Sequence, residues 1–324
     1  MQFDMPLGEL RRYLPEIEEP PDFDQFWSQQ LTEARSYHSE PVFAATEAPV
    51  RHAEVFDVTY AGHGGHAVRG WLLVPHEVVD NAPLVVEYVG YNGGRGDPLD
   101  SLAWSCAGYP HFVMDNRGQG GGWRGADTPD PGDSGAPSSP GFLTRGIADP
   151  GRYYYTRLFV DATRAIDAVR LHPCAGGRKI VTTGGSQGGG LALATAHLVP
   201  AVQAVMPDVP FLAHPRRALE VADSHPYLEL AQYCGVYSHM VERVFTTLSY
   251  IDVVNHAKRA NVPALFSVGL TDQVTPPSTV FAAFNHYAGP KEIAVYPYNG
   301  HEGGGTYHFR RKLDFLAGLG SNAR

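Results

Sequence analysis

The sequence predicts an α/β fold: a mainly parallel central sheet flanked by helices, with an N-terminal extension and an inserted helical region. Three observations predict it. Short apolar runs bounded by Gly or Pro recur along the chain, which suits strands buried on both faces. Amphipathic runs of helical period lie between them, and strand–helix alternation implies parallel crossovers. With 43% hydrophobic and only 18% charged residues, the 324-residue chain has the composition of a packed protein rather than a disordered one.

The elements follow in order. After the Pro20-Pro21 break, Asp22–Tyr37 reads as an amphipathic helix, with Phe23, Phe26, Trp27 and Leu31 at helical spacing. Glu54–Tyr60 and Ala67–Val74 read as two antiparallel strands joined across Gly62–Gly65. Six apolar runs then read as buried strands: Leu84–Val89, His111–Asp115, Lys179–Thr183, Val202–Met206, Ala264–Val268 and Glu292–Tyr296. Helical patterns cover Tyr155–Leu171, Gln187–Leu198, Pro276–Tyr287 and Tyr307–Leu316. Two stretches interrupt the alternation. Gly118–Pro150 is a long loop rich in Gly, Pro, Asp and Ser, and loops of that length are functional or tied down by partners. Pro207–Ile251 carries extra helices where a lid would be inserted. No internal repeat or second domain is visible, so one domain over residues 1–324 is expected.

The charge balance excludes several partners. A net charge of −9 leaves no basic stripe for a nucleic-acid backbone. No apolar run approaches a membrane span. Cys106, Cys174 and Cys234 are too few and wrongly spaced for a disulfide framework or a metal site, so they read as free, mostly buried thiols. The acidic opening, residues 1–21, has no signal-like apolar core. A cytoplasmic protein is expected.

The chemistry points to Gly184-Gly185-Ser186-Gln187-Gly188, a G-x-S-x-G pattern. In a chain with 36 glycines the pattern alone is weak, but an apolar strand precedes it and an Ala/Leu-rich helix follows. That is the strand–turn–helix setting of the nucleophile elbow in an α/β-hydrolase fold. Gly184 and Gly188 leave room for a sharp turn, and Ser186 sits at a helix N-terminus that favours developing negative charge. A serine needs a base, and the base an orienting carboxylate, in the chain order Ser, acid, His. Asp272 follows the Ala264–Val268 strand and His301 follows the last strand, both at strand carboxyl ends. Asp208 and Asp252 are the rival acids. Among 15 histidines His301 stands out by position, while His308, in the following helix, reads as structural. His63 and His66 lack acidic partners, and His301-Glu302 lacks a second His at the next helical turn. No metal and no cofactor are expected.

These residues, with several separated blocks, resemble the cephalosporin C deacetylase / acetyl xylan esterase family, carbohydrate esterase family 7. The blocks are residues 89–96 (VGYNGGRG), Arg117-Gly118-Gln119-Gly120, residues 127–131 (DTPDP), residues 144–147 with Tyr153-Tyr154-Tyr155, the elbow, and Gly300-His301-Glu302. The resemblance implies Ser186 as nucleophile, His301 as base and Asp272 as orienting acid. It also implies an oxyanion hole from the backbone N–H groups of Tyr91 and Gln187, with Gly90, Gly93 and Gly94 allowing the loop's close approach. Arg117 and Gln119 read as holding loops, Arg117 by donating to carbonyls around the elbow turn. Val209, where relatives carry an aromatic, and Glu87 depart from the family pattern.

The implied activity is removal of acetyl groups from xylo-oligosaccharides and from the acetoxymethyl group of cephalosporins. The implied assembly is a homohexamer, a trimer of dimers, with Gly118–Pro150 as its interface segment. A peptidase or amidase of the same fold, a longer-chain esterase and a non-catalytic binding protein are the competing readings.

Overall fold

The computed structural model describes residues 2–132, 137, 138 and 140–321. Positions 133–136 and 139, inside the segment read as an assembly loop, lie outside the described residues. The chain begins with a short helix α1 (Leu7–Leu10), α2 (Phe23–Ser36) and strands β1 (Val42–Ala45), β2 (Ala53–Ala61), β3 (Ala67–Pro75) and β4 (Leu84–Tyr88). Then come α3 (Leu102–Cys106), β5 (His111–Met114), α4 (Tyr154–Val169), β6 (Ile180–Gly185), α5 (Gln187–Leu198) and β7 (Val202–Asp208). Four helices follow: α6 (Pro215–Val221), α7 (Tyr227–Val236), α8 (Val241–Ser249) and α9 (Val253–Ala257). The chain closes with β8 (Ala264–Gly269), α10 (Pro277–His286), β9 (Lys291–Tyr296) and α11 (Gly305–Ser321).

The strands form one nine-stranded sheet in the order β1-β2-β3-β5-β4-β6-β7-β8-β9. The first three and the β3–β5 pair are antiparallel; every pairing from β5 to β9 is parallel. The expected α/β-hydrolase fold is therefore present. β4 lies between β5 and β6, so successive connections leave it in opposite directions. Ligand crevices form at the carboxyl ends of such a switch point.

Two cores cover the two faces. On one, Trp27 of α2, Leu158, Phe159 and Ile166 of α4 and Leu191 of α5 pack on Leu84, Val86 and Tyr88 of β4. On the other, Trp104 of α3 and Leu316 of α11 pack on Val85, Val181, Ala204 and Met206. Alternation along β4 thus sends Val86 and Tyr88 one way and Val85 and Glu87 the other. Burying one such large apolar side chain contributes about 1.5–3 kcal/mol. α1 was not visible in the sequence as a helix; its Leu10 packs on Val268, Leu270, Val280 and Phe281. The thiols were expected to be mostly buried, and they are not: Cys106 is exposed and Cys174 and Cys234 are half-buried. Cys106 ends the short helix α3, where its Sγ lies 3.5 Å from His52 Nε2.

Candidate active site

β6 passes into α5 through a single residue, Ser186. Its backbone sits at φ 58° and ψ −119°, a conformation that costs a non-glycine residue about 1–3 kcal/mol. Its surroundings hold it there. The Ser186 N–H donates to Asp208 O at 2.9 Å, and its carbonyl accepts from the N–H groups of Gly190 and Phe211 at 3.0 and 2.9 Å. A Cβ at Gly184 would fall 2.5 Å from the Gly188 carbonyl carbon, and one at Gly188 would fall 1.9 Å from Tyr88 O. Any side chain at either position would push β6 or α5 off β4. Gly185, beside the serine, meets nothing; the steric demand falls two residues to either side of Ser186. Gln187 opens α5, so its N–H has no carbonyl within the helix.

Asp272 and His301 leave the ends of β8 and β9 and meet. His301 Nδ1 lies 2.9 Å from Asp272 Oδ2. Asp272 is fully buried. Its Oδ1 accepts from the N–H groups of Val274 and Thr275 at 2.8 and 3.0 Å, and its Oδ2 from the Thr275 hydroxyl at 2.7 Å. Three donors fix the carboxylate, and the carboxylate fixes the ring. Glu302 braces the loop, accepting from Asn299 Nδ2 at 2.7 Å and Gly300 N–H at 3.0 Å. The Asn299 bond first, then its own backbone N–H and that of Gly300, hold its exposed carboxyl below the ordinary value. With Nδ1 on the carboxylate, Nε2 is the nitrogen left for other work. Ser186 and His301 line one cavity of about 430 Å³, walled also by Tyr91, Trp123 and Pro226. Trp123, Pro226 and Val274 carried no chemical signal in the sequence and were not singled out there.

A buried amide pair ties the loop after β4 to the elbow. Gln119 Oε1 accepts from Asn92 N–H at 2.6 Å, and Gln119 Nε2 donates to Gln187 Oε1 at 2.8 Å and to the Tyr154 hydroxyl at 2.9 Å. Gln187 Nε2 returns a bond to Val89 O at 3.2 Å. The backbones of Tyr91 and Gln187 are thereby held in one frame with α4. The Tyr91 side chain turns away and donates to Glu229 Oε1, and its oxygen accepts from Phe142 N–H at 2.9 Å. Burial, then the neighbouring Glu229, pushes the Tyr91 hydroxyl far above its usual range. Burial also raises the Glu229 carboxyl despite the bond from Tyr91.

The remaining sequence candidates sit elsewhere. Arg117 is fully buried and pairs with Asp161 of α4, Nη2 to Oδ1 at 2.7 Å. Its expected bonds to elbow carbonyls are replaced by a carboxylate, because Asp161 satisfies a buried guanidinium better than a peptide oxygen. Gly93 and Gly94 make room for Trp123 and Ala126, while Gly90 meets only ordinary contacts at 3.6 Å. Asp252 caps α9, accepting from Val254 N–H at 2.9 Å. Asp208 lies under the elbow, its Oδ1 3.0 Å from His308 Nε2 and its Oδ2 against Lys312 Nζ. Burial raises its carboxyl, but Lys312 and His308 outweigh that and hold it below the ordinary value. Val209, next in the chain, is buried at φ 37°, an outlier for a β-branched residue. No group of three or more His, Cys, Asp or Glu suited to a metal occurs among the described residues, and no helix among them is long and apolar enough to cross a membrane.

Comparison with known proteins shows the family of the chain. The acetyl xylan esterase (AXE1) family profile matches residues 1–319. An acetyl xylan esterase from Paenibacillus sp. R4 superposes with a TM-score of 0.90 at 37% identity, covering 97% of this chain and 99% of that one. Acetyl xylan esterase 1 from Thermoanaerobacterium sp. JW/SL YS485 gives 0.87 at 35% identity, with the same coverage of 97% and 99%. Acetyl esterase Axe7A of Xylanibacter ruminicola is 29% identical over 310 residues, or 89% of this chain. The chain spans 64% of that relative's length. The chain belongs to the acetyl xylan esterase family.

Proposed function

We propose that this chain is a serine carboxylesterase that removes acetyl groups from acetylated xylo-oligosaccharides. One observation carries the proposal: Ser186, on its strained turn, lines the same cavity as a histidine whose Nδ1 is held by the buried Asp272. The family membership supports acetate as the acyl group and xylan-derived sugars as the alcohol. In the first half-reaction His301 Nε2 takes the hydroxyl proton as Ser186 Oγ attacks the acetyl carbonyl carbon. Asp272 stabilises the imidazolium that forms. The N–H groups of Tyr91 and Gln187 receive the oxyanion, and the Gln119–Gln187 pair keeps both donors in register. Collapse breaks the bond to the sugar oxygen, which leaves with the proton from His301. Water then attacks the acetyl-enzyme, giving its proton to His301. Acetate departs, and Ser186 regains its hydrogen from His301.

The acetoxymethyl ester of a cephalosporin presents the same acyl group and falls within the proposed range. We also assign the protein to a reducing cytoplasm, on its three unpaired thiols, and to a homohexamer built through the 118–150 segment. A monomeric mass by light scattering at micromolar concentration would remove the hexamer. The central test is hydrolysis of 4-nitrophenyl acetate, butyrate and octanoate, with Ser186→Ala as control. Acetate is expected to be strongly preferred, and the variant to lose on the order of 10⁶-fold in kcat. Preference for octanoate would retain the serine chemistry and make Pro207–Ile251 a lid over a long acyl chain. Faster turnover of aminoacyl amides would replace the ester reading altogether.

A further inference from the structure

The inserted helices carry a buried carboxylate that the chemistry above does not use. Glu229, in the first turn of α7, is 2% exposed. Among the described residues no lysine or arginine pairs with it, and neutral donors meet it instead. Its Oε1 accepts from the Tyr91 hydroxyl, and its Oε2 accepts from the Leu143 N–H at 2.9 Å. Burying a carboxylate without a cation is costly, and burial raises this one above its ordinary value. An apolar side chain at this position would relieve that cost but release everything the carboxylate holds.

Glu229 joins three parts of the structure around the catalytic cavity. Its own N–H donates to Pro226 O at 3.1 Å, and His225 and Pro226 line the cavity that Ser186 and His301 share. The 141–143 turn wraps the carboxylate closely. A Cβ at Gly141, which sits at φ 117°, would fall 2.2 Å from Glu229 Oε1. Leu143 is also held from its other end, its carbonyl accepting from the Tyr153 hydroxyl at 2.8 Å. The third part is Tyr91. Its hydroxyl oxygen accepts from Phe142 N–H and its carbonyl from Trp123 Nε1, both at 2.9 Å. Every polar atom of Tyr91 but one is thus engaged. Its backbone N–H has no acceptor among the described residues, and that N–H is the one assigned to the oxyanion.

Resting on the esterase reading, we infer that Glu229 is a positioning residue: by holding the Tyr91 hydroxyl it fixes the far end of the side chain whose backbone N–H receives the oxyanion. Glu229 does not itself line the cavity. Its place calls for two acceptors side by side, which a carboxylate supplies and an amide does not. A glutamine there would give its one oxygen to Leu143 or to Tyr91. An oxygen that serves the Leu143 N–H leaves the Tyr91 hydroxyl proton without an acceptor.

The test measures kcat and KM for 4-nitrophenyl acetate in the full chain and in Glu229→Gln, Tyr91→Phe and the double variant. Complete loss of an oxyanion donor costs about 10²–10³-fold, so a donor kept but loosened should cost about ten-fold. Each single variant is expected to lose that factor in kcat with KM within about two-fold, since the tetrahedral intermediate uses the N–H more than the ground state does. The double variant is expected to lose no more than the worse single, because both substitutions remove one contact. An unchanged kcat in Glu229→Gln, with only a lowered melting temperature, would make the residue structural and overturn the proposal. A raised KM at constant kcat, or losses that multiply in the double variant, would overturn it too. If thermal melts show Glu229→Gln to be unfolded, Tyr91→Phe decides by the same split between kcat and KM. Loss of the esterase reading would show separately, as a wild type that leaves 4-nitrophenyl acetate intact.

Discussion

Two Asp–His pairs flank the elbow serine, and they are built for different work. In the first, Asp272 is locked by three donors and holds His301 by Nδ1, leaving Nε2 to a cavity shared with Ser186. In the second, Asp208 shares its charge with Lys312, and His308 is engaged on both sides, Nε2 toward Asp208 and Nδ1 3.2 Å from the Tyr296 hydroxyl. His301 keeps about a third of its side-chain surface exposed, whereas His308 is buried. A base must turn one nitrogen toward the reacting group while the other is held. Only the first pair does so. The second reaches Ser186 through backbone, since Asp208 O accepts the serine N–H. On the proposed mechanism, residue type and proximity therefore do not separate the dyad assigned to catalysis from a supporting one; which ring nitrogen the carboxylate leaves unheld does.

The sharpest way to break the comparison is Asp272→Asn. It preserves shape but stabilises the wrong tautomer and removes the charge beside the imidazolium. We expect kcat for 4-nitrophenyl acetate to fall by about 10⁴-fold with thermal stability little changed. A fall of less than ten-fold would remove Asp272 from its role and return the question to Asp208.

Asp208→Asn should act on stability first. Lys312, only 8% exposed at its side chain, would keep Thr183 Oγ1 at 3.0 Å and lose its carboxylate. Breaking one partner of a buried pair costs about 3–5 kcal/mol, readable as a shifted denaturant midpoint. The difference should depend on acid in one direction. The native Asp208 carboxyl titrates below its ordinary value, so the unfolded chain takes up protons first as pH falls. The stabilisation is complete above the usual carboxylate range near pH 4 and is lost below it, as pH falls through the native value. Wild type and variant should differ by a constant amount between pH 6 and 8 and converge below about pH 4. A gap that widens in acid would contradict the pairing.

The fold was legible in the sequence, and so were the positions of the three side chains proposed for the chemistry, for reasons visible in particular elements. β6 and α5 are apolar and local, and Ser186 between them needs glycines that a five-residue pattern records. Asp272 and His301 are tied to strand ends, so topology alone placed them. The polar groups that meet only after folding were not legible. Gln119 and Gln187 are 68 positions apart, and nothing in either local segment announces that their amides face each other. Asp208, His308 and His111 come from β7, α11 and β5, and they come together only between packed layers. Arg117 was legible as a loop-holding residue type, but its partner Asp161 lay hidden inside an ordinary amphipathic helix.

The Gln119–Gln187 pair offers the finest probe of the same distinction, because it supports the proposed oxyanion donors rather than the proposed base. Gln119→Met keeps the volume and removes the bonds to Asn92, Gln187 and Tyr154. The loop bearing Tyr91 then loses one anchor but keeps others: Asn116 Nδ2 still donates to Gly90 O at 3.3 Å and to Gly93 O at 2.8 Å. Complete loss of an oxyanion donor costs about 10²–10³-fold in kcat, so loosening one should cost less, roughly ten-fold. The loss should fall on kcat with KM nearly constant, since the ground-state ester makes weaker use of those N–H groups than the tetrahedral intermediate does. The pH profile should keep its shape, because His301 and Asp272 are untouched. A raised KM at constant kcat would place Gln119 in substrate binding instead. A displaced pH profile would mean that its network reaches the base.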